Sequence, residues 1–171
     1  MDKIIYIHYG SEHFNPQLFV PIKNCTWKPK PEDGTGLWAS RVGDEYGWEQ
    51  WCRNAGFRVE ALDTAFKFTL KPWAKVLTLE IPSDLLPLPK LYPWNPGKIF
   101  TEKDLNSEEI PSAEDLIAYF APHWCFLNYE KLSEDYDAIE LRNSYLFRGS
   151  LNTWDCDCIV IMNPNIVEEL T

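Results

Sequence analysis

The sequence has no apolar run near the roughly 18 residues that a membrane-spanning helix requires. Its first residues, MDKIIYIH, lack the basic segment, long apolar stretch and small-residue cleavage site of a secretory leader. Both absences point to a soluble, cytoplasmic protein with no membrane partner. No glycine-rich turn of the G-x-G-x-x-G or P-loop kind joins a strand to a helix, which disfavours the ordinary dinucleotide-binding and NTPase readings. A G-x-S-x-G elbow is also missing, and histidine occurs only as His8, His13 and His123, so a serine or cysteine nucleophile has few bases to pair with. Cysteine is sparse. Its five residues, an odd number at irregular spacing, fit a reducing compartment better than a disulfide framework. Only Cys156 and Cys158 share a strand face; a structural zinc needs two more thiolates nearby, so no metal site is expected. Positive charge is in deficit as well: 16 Lys and Arg stand against 26 Asp and Glu, a net charge of -10 that repels polyanions on average. Nonspecific nucleic-acid binding through counterion release is disfavoured.

What is present suffices for one compact domain. With 171 residues, 45% of them hydrophobic, the chain can bury a core without metal or disulfide staples, and residues 1–171 read as a single unit. Aromatic residues make up 15% of the chain, which suits flat-faced pockets for planar ligands.

Hydrophobic periodicity supplies the elements. Lys3 to His8 is a β-branched strand, and the stretch FVPIKNCTWKPKPEDGTG is a loop of a length that usually has a task. Leu37 to Ala39 is a short strand. In DEYGWEQWCRNAGF, Trp48, Trp51 and Cys52 fall at helical spacing and Gly56 provides the stop. AFKFTLK and AKVLTLEI alternate as strands. Between residues 82 and 111 proline is too dense for a helix or a central strand, and this segment reads as an ordered surface excursion whose Leu, Tyr and Trp side chains pack on the body. SAEDLIAYF reads as a helix with a Ser cap. LNYEKLSEDYDAIEL reads as a short helix running into a strand at Ala138 to Leu141, SYLF as a further strand, and CDCIVIMNP as a core strand. Helices do not alternate regularly with strands, so the fold class is α+β rather than a doubly wound parallel sheet.

Three segments carry the chemical signal. IHYGS ends the first strand with His8; GTGLWAS enters the second with Gly34, Gly36, Leu37 and Trp38; DCIVIMNPNI closes the chain with Asp157 and Asn165. In order and internal spacing they resemble the signature elements of the ADP-ribosyltransferase superfamily, in its diphtheria-toxin-like and poly(ADP-ribose) polymerase branch. That branch has His-Gly-Ser or His-Gly-Thr at the end of its first strand. Here Tyr9 occupies the glycine position and Gly10 comes one place late. The second segment follows G-x-G-(I/V/L)-Y-F-A with Trp38 at the aromatic position, and the third follows E-Y-I-V-Y-(D/N)-x-x-Q-(I/V) with Asp157 at the acid and Asn165 at the glutamine.

The resemblance implies a split β-sandwich of two small packed sheets around an NAD+ cleft. It implies a mono-ADP-ribosyltransferase that breaks the nicotinamide–ribose bond and passes ADP-ribose to a macromolecular acceptor, protein or nucleic acid. His8, Tyr9, Gly10, Ser11, Gly36, Trp38 and Ser40 would bind NAD+, the protein's substrate and only cofactor. Asp157, His8 and Trp38 would serve catalysis, with Asp155 and Glu140 as further carboxylates. The loop at 12–33 and the excursion at 82–100 would flank the cleft and recognise the target. A small monomer of this kind fits a toxin, a phage-encoded modifier or a defence factor.

Two other classes fit the same residues. One is a catalytically inactive module of the same fold that binds NAD+, ADP-ribose or a protein. The other is a glycoside hydrolase using Glu140 with Asp155 or Asp157, since two carboxylates across a glycosidic bond are that reaction's requirement.

Overall fold

The structure, a computed structural model, describes residues 3–96 and 123–171. The helix expected at SAEDLIAYF and the later part of the proline-rich excursion lie outside the described residues.

Among the described residues, seven strands and two α-helices organise the fold. They are β1 (Tyr6–Tyr9), β2 (Leu37–Arg41), α1 (Trp48–Ala55), β3 (Ala65–Leu70), β4 (Val76–Leu79), α2 (Tyr129–Leu132), β5 (Ala138–Leu141), β6 (Cys158–Ile161) and β7 (Val167–Glu169). The strands form one mixed sheet in the order β4-β5-β6-β2-β1-β3-β7. Among the described strands the β4–β5 pair is parallel and the other five pairs are antiparallel. The class is α+β, as the irregular order of elements indicates.

Each face of the sheet carries a core, and the two-residue period of a strand divides the side chains between them. Ile139, Leu141, Cys158 and Val160 join Leu79, Leu85, Leu127, Tyr129, Phe147 and Trp154 on one face. Ala138, Ile159 and Ile161 join Tyr6, Phe66, Phe68 and Ile166 on the other. Both β5 and β6 are buried along their whole length, which accounts for the unbroken apolar run in CIVI.

Helix α1 forms where the sequence periodicity places it. Its first amide, Trp48 N–H, donates to Ser40 Oγ at 2.9 Å, Cys52 is fully buried, and Gly56 in the left-handed region (φ 63°) ends the helix by donating its N–H to the Cys52 carbonyl.

Two elements differ from the sequence-based expectation. SYLF is a 3-10 turn, Ser144–Phe147, and not a strand. Asn143 adopts the left-handed region (φ 54°), and the Asp157 carboxylate accepts the N–H groups of Asn143 and Ser144 at 3.1 and 2.7 Å, which bends the chain out of any ladder. The second is β7, paired with β3 through Phe68↔Glu169. Its glutamates hid it, yet they are its fastening: Glu168 accepts from Lys3 and from Thr69 Oγ1, and Glu169 meets His13 Nδ1 at 2.8 Å and Phe14 N–H at 3.1 Å.

In the described part of the excursion Leu88 and Trp94 pack against the core while Leu86 and Tyr92 are exposed. Leu85 is fully buried, and Lys90 Nζ donates to the carbonyls of Leu85, Leu86 and Leu88 at 2.6, 3.1 and 2.7 Å, closing a tight bend that proline cannot hydrogen-bond for itself.

A single sheet replaces the two packed sheets expected, but its middle is thin. β1 and β2 pair at Tyr6↔Arg41 and Ile7↔Ser40, with one more bond from Val42 N–H to the Ile5 carbonyl at 2.9 Å. Beyond Ile7 they let go of each other while keeping their outer neighbours. β1 stays on β3 as far as Tyr9↔Ala65, and β2 stays on β6 as far as Leu37↔Ile161. The result is a wedge between two half-sheets at the end of β1.

Candidate functional site

A cavity of about 310 Å³ occupies the wedge. The end of β1 contributes His8, Tyr9 and Gly10, β2 contributes Trp38, and α1 contributes Trp48. The rest of the wall comes from residues 30–34 and from the segment Thr153–Cys156 that leads into β6. So the first two sequence segments meet in one hollow, together with a carboxylate from the third region, Asp155.

His8 is fixed by chemistry that determines its tautomer. Its Nδ1 lies 2.6 Å from the Trp38 carbonyl oxygen. A carbonyl only accepts, so Nδ1 carries the hydrogen. Burial lowers the His8 pKa below its ordinary value against the smaller opposing effect of the Trp38 carbonyl, so the ring is held neutral. Nε2 is then a hydrogen-bond acceptor.

Trp38 sits edge-on to Trp154, ring centroids 4.8 Å apart, and Trp38 Nε1–H donates to the Thr35 carbonyl at 3.3 Å. Trp154 is itself locked, donating Nε1–H to Tyr129 Oη at 3.1 Å. The Tyr9 hydroxyl donates to Glu49 of α1 at 2.8 Å, and burial with that carboxylate pushes its pKa up. Gly10 takes φ 107°, which a side chain rarely tolerates, and donates its N–H to the Thr64 carbonyl at 2.8 Å. Together these contacts give the cavity rigid aromatic walls.

Its polar groups are few. Desolvation raises the pKa of Asp155, with Lys30 opposing, which moves the carboxylate toward stronger basicity. Thr153 Oγ1 is shielded from solvent without a hydrogen-bond partner among the described residues. Of the cations in the lining, Lys30 is paired with Asp33 at 3.0 Å and Arg58 stands opposite a wall that also carries Glu32 and Asp33. Arg58 is held in the left-handed region (φ 46°), a conformation that costs a non-glycine residue about 1–3 kcal/mol.

The other expected site residues lie elsewhere. Asp157 does not line the cavity: its buried carboxylate caps the 143–147 turn and stands 3.6 Å from the Arg142 guanidinium. Residues 155–157 precede β6 and are not strand, and the Asn143 and Ser144 amides hold the Asp157 carboxylate away from the cavity that Asp155, Cys156 and Cys158 line. Glu140 belongs to the opposite face, where both its oxygens accept from Arg41, at 2.7 and 2.9 Å, and Tyr6 Oη lies at 3.4 Å. Burial and the Glu140 charge push the Tyr6 hydroxyl up to about 12. Ser40 Oγ is committed to the Asp157 carbonyl and to Trp48 N–H, both at 2.9 Å. Gly36 packs against β6, and Ser11 stays outside the cavity. Asn165 is exposed on the turn before β7. These side chains brace the site or lie apart from it.

Of the two flanking segments, residues 30–34 reach the cavity, whereas the described part of the proline-rich excursion does not line it. All five cysteines are buried free thiols, and among the described residues no three His, Cys, Asp or Glu side chains gather as a metal centre would need. Among those residues no helix is long and apolar enough to cross a membrane. No protein-family model, curated protein or solved structure matches the chain.

Trp48 and Trp154 were not foreseen as lining; residues 30–33 belong to the loop expected to flank the cleft, and Gly34 to the GTGLWAS segment. Trp48 carried a signal, the aromatic i, i+3 spacing, that reads equally as core. Trp154 is joined to the site only by tertiary packing.

Proposed function

We propose that the chain cleaves NAD+ at the nicotinamide–ribose bond and transfers ADP-ribose to a macromolecular acceptor. The reading rests on one observation: His8, Trp38 and the Asp155 carboxylate, from three segments distant in sequence, line a common cavity where the sheet parts between β1 and β2. A sheet that divides at the first-strand histidine is in keeping with the ADP-ribosyltransferase resemblance of IHYGS and GTGLWAS.

The residues divide the work as follows. Nicotinamide in NAD+ is a planar cation, so the Trp38 indole attracts it by stacking and cation–π interaction, worth about 0.5–2 kcal/mol. Main-chain groups at Tyr9 hold the carboxamide. Neutral His8 offers Nε2 to a ribose hydroxyl, the role implied by the resemblance. Arg58 supplies charge for the diphosphate, whereas Lys30 is held by Asp33. As the glycosidic C–N bond breaks, nicotinamide leaves with the electron pair and the ribose becomes oxocarbenium-like. Asp155 stabilises that charge and accepts the proton of the attacking group. Asp155 thereby takes the part that the sequence pattern gave to Asp157. The unpartnered Thr153 hydroxyl gives a bound dinucleotide one further hydrogen bond to satisfy.

A second reading, a binding module of the same fold without catalysis, draws support from the commitment of Asp157 to a structural cap. One experiment separates the two: incubation with NAD+ labelled in nicotinamide, using wild type, His8→Ala and Asp155→Asn. Nicotinamide release that falls about 100-fold or more in both variants supports the enzyme. Binding of NAD+ that His8→Ala weakens, with no release in wild type, supports the module. Neither binding nor release defeats both.

A further inference from the structure

A second cavity, of about 580 Å³, lies on the other side of Trp154 and Asp155, which line both hollows. Helix α1 separates the two: Trp48 faces the first, Trp51 borders the second, and their rings stack at 5.1 Å and 17°. We infer that this second cavity is the acceptor site and that it takes a nucleobase with its attached phosphate, an inference that rests on the ADP-ribosyl reading for its role though not for its existence.

Four features select that chemistry. Tyr46 and Tyr145, both about half exposed, set their rings 6.2 Å apart at 48°, leaving open aromatic faces on which a planar heterocycle stacks. Gln50 and Asn54, one helical turn apart, bond to each other through Gln50 Nε2–H and Asn54 Oδ1 at 2.9 Å. That leaves Gln50 Oε1 as an acceptor beside Asn54 Nδ2–H as a donor, the paired pattern that reads the edge of a base. Arg148, the cation in a lining that also carries the Glu45 and Asp155 carboxylates, is exposed and has no ion pair among the described residues, so it is available to a phosphate. Finally, the volume suits a base, sugar and phosphate together. A lone guanidinium would leave most of it empty.

The net charge of -10 sets the form of the ligand. It disfavours a duplex lying across the surface and permits a single nucleotide or an unpaired strand end entering the cavity. In the reaction, a ring or exocyclic nitrogen of the base attacks the ribose carbon as nicotinamide departs, and Asp155, on the shared wall, accepts the nitrogen's proton.

The test is calorimetry without NAD+, with CMP, UMP and GMP as one set of probes and a 5′-phosphorylated unpaired tetranucleotide as the other. Nucleotide binding is expected, weakened about tenfold in Tyr145→Ala and in Arg148→Gln, unchanged in His8→Ala and not displaced by NAD+. The Arg148→Gln loss disappears with the matching nucleosides. Tighter binding of the tetranucleotide identifies a strand end as the source; equal binding identifies free nucleotide. Absence of binding, or binding abolished by His8→Ala and competed by NAD+, overturns the inference. If NAD+ is cleaved and ADP-ribose appears only on protein side chains while no nucleotide binds, the nucleobase site falls and the enzymatic reading stands. If nucleotide binding maps to Tyr145 and Arg148 but NAD+ is never cleaved, the transferase reading falls and the nucleobase site stands without its acceptor role.

Discussion

The imidazole of His8 takes the carbonyl of Trp38, 2.6 Å from Nδ1, where continuing the β1–β2 register would set Tyr9 opposite Trp38. A side chain thus substitutes for a ladder hydrogen bond. The exchange satisfies a carbonyl that separation of the strands would otherwise orphan.

This gives His8 a defined pH signature. Its folded pKa lies below the ordinary value of about 6.5, so the unfolded chain binds the proton more readily. The stability contributed by the neutral ring is complete above about pH 6.5 and is lost as pH falls through the depressed folded value. An NMR titration of the His8 ring is expected to show an apparent pKa under 6.5, and thermal melts of His8→Phe to lose that part of the acid dependence. A ring titrating above 6.5 would contradict the assignment.

Asp155 and Asp157 should separate cleanly. Asp155→Asn is expected to abolish nicotinamide release with little change in melting temperature, because no described partner depends on it for structure. Asp157→Ala strips the caps from Asn143 and Ser144 while Arg142 keeps its ion pair with Asp44, at a cost of about 2–3 kcal/mol in urea denaturation. Reversed results would restore Asp157 as the catalytic carboxylate.

Gly36→Ala tests the brace behind the cavity. At φ 67° an added Cβ would meet Val160 Cγ2 at 2.7 Å and the Ile161 carbonyl at 3.0 Å, both on β6. A loss of about 2 kcal/mol or more is expected from strain and displacement of the strand. Gly34→Ala, at φ 80° with nothing near its added Cβ, should bear only the conformational part, about 1 kcal/mol.

Glu140 should behave as a structural ion. Arg41→Met leaves a nearly inaccessible carboxylate without its forked partner and is expected to cost about 3–5 kcal/mol. The double variant Arg41→Met/Glu140→Leu should recover most of that loss in the same melt. Failure to recover would show that the pair does more than neutralise itself.

Local pattern made much of this molecule legible. The β-branched CIVI run, the helix punctuated by Gly56 and the alternation in AFKFTLK each record their environment in a few neighbouring residues. The glutamates of β7 masked a strand because its outward positions carry ion pairs with Lys3 and His13, contacts that span the length of the chain. At the site, His8 and Trp38 were legible because each ends or enters a strand within a recognisable segment. Asp157 was misread there because a strand would put it on one face with Asp155, whereas residues 155–157 are irregular and tertiary contacts with Asn143 and Ser144 take Asp157 out of the hollow. Trp154, the shared wall of both cavities, announces itself in no local pattern.

The three-residue seam between β1 and β2 means that whatever fills the wedge touches strands from both halves of the sheet. An occupant therefore acts as a missing stretch of ladder, and its binding energy adds to the cohesion of the whole molecule. Backbone amides far from any ligand atom, out to β4 and β7, should exchange with solvent more slowly when the wedge is filled.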